Sequence, residues 1–147
     1  MVRFLLIFLL SSIPLTCLAD VVSDLRPAIW QAAATNQVDP IFMEAILRHE
    51  SANGKSKAAR TKNNLAGIMR KRGGQRSFES KEECVAYLGQ LLQNYNRRGM
   101  KSMSSIGKRY AGSRKKSEWV YYVNLYMKQI KAGKWGNLPT SVPAPTR

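Results

Sequence analysis

Asp39-Pro40-Ile41-Phe42-Met43-Glu44-Ala45-Ile46-Leu47-Arg48-His49-Glu50-Ser51-Ala52-Asn53-Gly54 specifies a helix together with both of its ends. Asp39 offers a side-chain oxygen to the first free backbone N–H groups, and Pro40 takes the first helical position, where its missing N–H is no loss. Asn53-Gly54 is a strong stop. Between these signals an apolar helix ends in a carboxylate, Glu50, directly before a tight turn. The last turn is an unfavourable place for negative charge, because the unpaired carbonyls there make that helix end negative. Burial would push the Glu50 carboxyl further up. A raised pKa is what a general acid needs near neutrality. The competing reading of the same residues is an exposed Glu paired with Arg48 or Lys55.

Outward from this helix the chain reads as all-α. Ser23 to Asn36 places Leu25, Ile29, Trp30 and Ala33 at helical spacing, with Pro27 confined to the first turn. Lys55 to Met69 is polar and punctuated, predicting one short helix and a turn. Arg70 to Ser77 is a basic, Gly-containing loop. Ser80-Lys81-Glu82-Glu83 is a capping box, so a helix begins near Lys81 with Cys84, Leu88, Leu91 and Tyr95 on one face. Ser102 to Tyr110 is a shorter helix. Ser117 is read as the cap of a long last one, with Val120, Val123, Tyr126, Met127 and Ile130 inward. The only strand signal is a stub near Gln75 to Phe78. From residue 135 the chain turns Pro-rich and is expected to be a flexible tail (135–147) behind a single domain (20–134).

The first 19 residues have the form of a secretory signal. Arg3 is a positive n-region, Phe4 to Leu10 an apolar run, and Cys17-Leu18-Ala19 ends in a small residue before Asp20. The run is short for a membrane span, and no later stretch is long and apolar enough for one. An exported domain beginning at Asp20 is expected, in the periplasm or outside the cell.

Composition narrows the function classes. In 147 residues, 44% are apolar, which excludes a wholly disordered chain. One His and two Cys exclude a zinc-finger framework and a dense disulfide scaffold, and no clustered acids suggest a metal site. Cys84 on an apolar face reads as a buried, inert thiol. The net charge of +15 fits an acidic polymer as partner. Export and the absence of any nucleic-acid motif argue against nucleic acid, which leaves an attraction for anionic cell wall or a solvated basic face that aids solubility.

Four segments then fall into a known order. They are Asp39-Pro40 with His49-Glu50-Ser51 and Gly54-Lys55-Ser56; Asn63-Asn64-Leu65-Ala66-Gly67-Ile68; Phe78-x-Ser80-x-x-Glu83; and Ile106-Gly107-Lys108-Arg109-Tyr110-Ala111-Gly112. Together they resemble the peptidoglycan glucosaminidases, the flagellar-muramidase and mannosyl-glycoprotein endo-β-N-acetylglucosaminidase-like family, over roughly Val22 to Ile130. The last segment is similar to the family's Ile-Ala-x-x-Tyr-Ala-Thr.

The resemblance implies a lysozyme-like fold and a glycosidase of peptidoglycan strands that uses no cofactor. It makes Glu50 the catalytic acid and Tyr110 a catalytic-site residue lining the sugar. Asn63, Asn64 and Gly67 become substrate-binding residues at the cleft floor.

One departure from the family pattern matters. Members typically carry a β-rich lobe, often with a second carboxylate, where this chain has only Met69 to Ser77 and no acid. Glu79 is a weak substitute in sequence, and Glu83 is taken by the capping box. A truncated β-lobe and a one-carboxylate reaction are therefore expected. The substrate's N-acetyl group or its C6 hydroxyl would attack, giving either hydrolysis or the anhydro product of a lytic transglycosylase. A non-catalytic wall-binding or assembly protein, serving an envelope-spanning machine, is the rival from another class.

Overall fold

The computed structural model describes residues 20–140. The expected signal (1–19) and the end of the expected tail (141–147) lie outside them. The described residues form α1 (Val21–Asp24), α2 (Arg26–Asn36), α3 (Pro40–Ser51), α4 (Lys57–Thr61), α5 (Lys81–Arg97), α6 (Met103–Ala111) and α7 (Lys116–Lys131). This is the expected all-α, lysozyme-like architecture. Its β content among the described residues is one isolated antiparallel bridge, Met69 with Gln75.

The helix ends follow local chemistry. Asp39 accepts from the backbone N–H groups of Ile41 and Phe42 and caps α3. Ser80 accepts from Glu83 N–H at 3.0 Å, and the Glu83 carboxylate reaches back to Glu79 N–H at 2.7 Å. Ser102 caps α6 through Ser105 N–H.

Two starts differ from the sequence reading. The segment from Ser23 is divided at Leu25, so α2 begins at Arg26 with Pro27 in its first turn. α7 begins at Lys116, with no side-chain cap, and Ser117 lies inside its first turn. There Trp119 N–H already donates to Lys115 C=O, so the first turn closes before Ser117 can act as a cap.

α3 packs against α2 and α7, α2 against α5, and α6 against α7. Ile29, Met43, Ile46, Leu47, Leu65, Leu88, Leu92, Val123 and Ile130 are buried between them. On α5 the buried face takes Val85 and Leu92, and Leu91 is only half-buried. On α7 the buried positions are Trp119, Val123 and Ile130, with Val120, Tyr126 and Met127 half-buried. Cys84 is buried and free, and burial pushes its thiol up, away from thiolate chemistry.

Charge enters the interior at one place. Glu44 is fully buried and receives Arg26 (Nε to Oε2, 3.0 Å) and Arg48 (Nη2 to Oε1, 2.7 Å). Arg48 also binds Asp20 at 2.6 Å and Ser23 at 2.9 Å. Arg26 Nη1 donates to the carbonyls of Trp135, Gly136 and Asn137. The Trp135 ring stacks on Tyr126 and lies under the Arg48 guanidinium. The body thus continues past residue 134, and the segment expected to be a flexible tail is clipped at its start. The Arg26 guanidinium, with donors to spare, is what holds it.

Candidate active site

Glu50 occupies the last full turn of α3, which ends at Ala52 in the left-handed conformation (φ 50°). Ser51 ties the exit turn by donating to Leu47 C=O at 2.6 Å and accepting from Gly54 N–H at 2.7 Å. The chain then runs through α4 to the loop Leu65–Ile68, which passes directly over Glu50.

Asn64 fixes that loop. Its side chain is fully buried, donates to the carbonyls of Ile68 and Arg76, and accepts from Ile68 N–H at 3.0 Å. The loop so held presents Gly67 at φ 65° against Glu50. A Cβ there would fall 2.7 Å from Glu50 Oε2. Only glycine satisfies both the backbone angle and the carboxylate's space.

The other carboxylate oxygen belongs to α7. Trp119, itself buried, donates from Nε1 to Glu50 Oε1 at 2.8 Å. Trp119 fits because Gly107 stands opposite. A Cβ at Gly107 would lie 2.8 Å from the indole ring. Tyr110 stacks on Trp119 with ring centroids 5.6 Å apart and donates its hydroxyl to Ala66 C=O. Tyr110 thereby ties α6 to the Gly67 loop. Burial, with the Glu50 carboxylate beside it, pushes the Tyr110 hydroxyl well up, so it stays protonated and can serve as a donor.

Burial raises the Glu50 carboxyl above its ordinary value, against the opposing pull of the Trp119 hydrogen bond. Arg48 is committed to Glu44 and Asp20, and none of the three ion pairs among the described residues involves Glu50, so the surface pairing with Arg48 or Lys55 is not formed.

Two hollows meet at Tyr110. One, about 290 Å³, is lined by Glu50, His49, Lys115, Glu118 and Trp119 among others. The other, about 350 Å³, is lined by Gly67, Met69, Tyr87, Leu91 and Arg109 among others. Each has one basic residue of the α6–α7 region, Lys115 in the first and Arg109 in the second.

The structure sorts the sequence candidates. Glu50, Tyr110 and Gly67 come together. Asn64 has no accessible surface and acts on the loop instead of a ligand, because its amide is used up by backbone groups. Asn63, at φ 52°, donates to the carbonyls of Phe78 and Glu79 and lines a separate hollow with Glu79, Ser80 and Lys81. Glu79 is therefore no partner of Glu50. His49 stacks on Tyr122 (5.6 Å, 15°) at the groove wall, and burial lowers its pKa in spite of nearby Glu118. From sequence Trp119 reads as either core or groove wall, and Glu118 carries no signal as a site residue. No cluster of three or more metal-binding side chains occurs among the described residues.

Comparison with family models gives a match to mannosyl-glycoprotein endo-β-N-acetylglucosaminidase (glucosaminidase) over residues 26–137. The chain belongs to this glucosaminidase family. The match starts at the Arg26 that holds the ionic cluster and ends at Asn137, whose carbonyl that same Arg26 binds. A comparison with curated proteins finds no match. No helix among the described residues of the glucosaminidase domain is long and apolar enough to cross a membrane.

Proposed function

We propose that this chain is an exported glycosidase that cuts β-1,4 bonds between amino sugars in the glycan strands of peptidoglycan, with Glu50 as its proton donor. The observation that carries the reading is the setting of Glu50. It is half-buried between Gly67 and Trp119, accepts from one neutral donor, the Trp119 indole, and lines a groove beside Tyr110. A carboxyl in that setting keeps its proton to higher pH and can pass it to a glycosidic oxygen. Tyr110 and the wall of the groove orient the sugar ring. Lys115 and Arg109 attract the carboxylates of the wall's peptide stems. The sequence pattern of residues 1–19 supports export to the periplasm or the cell exterior, where such a substrate lies.

The test is product analysis. Asp20–Arg147 and its Glu50→Gln variant are incubated with purified peptidoglycan, and released fragments are weighed by mass spectrometry before and after borohydride reduction. Reducing N-acetylglucosamine ends, lost in the variant by ~10²–10⁴-fold in rate, are expected. Reducing N-acetylmuramic ends would make the enzyme a muramidase, and anhydro ends a lytic transglycosylase. Binding of wall glycan without release of any fragment would leave a binding protein.

A further inference from the structure

Cleavage needs an attacker at the anomeric carbon as well as a proton for the leaving oxygen. The loop Met69–Ser77 contains no acid, and Glu79 belongs to another hollow. The fold brings an acid to the site from far along the chain. Glu118 lines the same hollow as Glu50. It immediately precedes Trp119, whose indole holds Glu50, so one turn of α7 fixes the first carboxylate and carries the second.

Their surroundings are opposite in kind. Glu50 is half-buried at the negative end of α3, whereas Glu118 is exposed in the first turn of α7, where the positive helix end favours negative charge. Two carboxyls in divergent environments are the usual basis for dividing acid from base. None of the three ion pairs among the described residues involves Glu118. Besides Glu50, its charged and titratable neighbours in the hollow are Lys115, His49 and Tyr110. A hollow of about 290 Å³ has room for a water beside sugar atoms, since one water occupies roughly 30 Å³.

We propose that Glu118 is the second carboxylate of this site, the base that activates the attacking water. The inference rests on the glycosidase reading and replaces the one-carboxylate reaction expected from sequence. Glu118 takes a proton from water as the water oxygen bonds to the anomeric carbon. The bond from that carbon to the leaving oxygen breaks, and its electron pair accepts the proton of Glu50. One water is consumed, and exchange with solvent returns a proton to Glu50 and removes one from Glu118. Attack by water opposite the leaving group inverts the anomeric centre.

The experiment uses solubilised, uncrosslinked glycan strands with wild type, Glu118→Gln, Glu118→Ala and Glu50→Gln. Glu118→Gln is expected to lower kcat by ~10²–10⁴-fold at an unchanged thermal midpoint, because the side chain is exposed. Azide is expected to restore turnover to Glu118→Ala, with a glycosyl azide seen by mass spectrometry, and to leave Glu50→Gln inactive. Proton NMR of the first wild-type product is expected to show the inverted anomer. Wild-type turnover in Glu118→Gln, no azide rescue, or a retained or anhydro first product each overturns the proposal. In those cases an inactive Glu50→Gln still upholds the glycosidase reading. A wild type that releases nothing overturns both.

Discussion

Glu44 and Glu50 stand on one helix, and the molecule treats them in opposite ways. Glu44 lies at the centre of an ionic cluster, with two guanidiniums on its carboxylate and no contact with solvent. Glu50 is half-buried, and its carboxylate meets one indole N–H and the space left by a glycine. Burial with full charge compensation yields a structural rivet. Burial with minimal compensation yields a group that holds its proton and can give it away. The difference lies in which residues face each carboxylate, not in the carboxylates themselves.

Breaking the compensated side is expected to have the largest effect on stability. Glu44→Ala leaves Arg26 and Arg48 buried without their shared acceptor, and a loss of about 3–5 kcal/mol is expected from breaking one partner out of such a cluster. Urea unfolding measures it, and a loss below about 1 kcal/mol would show that the neighbouring carbonyls and Asp20 suffice.

Sharpening the contrast at Glu50 comes next. Trp119→Phe removes the one interaction that favours the ionised carboxylate, so the Glu50 pKa should rise further. Activity requires the protonated acid and falls as pH passes through that pKa, so the alkaline limb of kcat/KM should move upward. A limb that stays in place, or moves down, would assign it to another group.

The smallest effect is a stability effect of the acid itself. The folded pKa of Glu50 lies above its unfolded value, so the stability linked to its proton is complete below the ordinary value of 4.5 and is lost as pH rises through the folded pKa. Glu50→Gln carries no charge at any pH. It should melt on the order of a few degrees above wild type at neutral pH, with the difference closing in acid. Equal midpoints at both pH values would mean that burial imposes no strain on the carboxylate.

What could be read from the chain divides along similar lines. Helix ends were legible because their signals are local: Asp39-Pro40, Ser80 with Glu83, and Ser102 all act within one turn. Glu50 was legible because its oddity, a carboxylate at the wrong end of an apolar helix, is also local. The cluster around Glu44 was not, since Arg26, Glu44 and Arg48 each read as an ordinary polar residue until α2 docks on α3. For the same reason Glu118 was hidden, and Trp119 stayed undecided between core and groove wall: the hollow exists only where α7 meets α3. Gly67 was placed by its motif, but its reason, the room needed by Glu50 Oε2, is a fact of three dimensions. Asn64 was assigned to the cleft floor through the family resemblance, and the backbone of its own loop claims its amide first, the turn role that an Asn pair also fits.

The ionic cluster also governs how the domain can be attached to anything else. Ser23 binds both Asp20 and the carbonyl of Trp135, so the two ends of the folded body meet at one spot. The body could therefore be spliced as a cassette into a surface loop of a host protein, or its ends joined by a short bridge and the ring opened elsewhere, without drawing the helices apart.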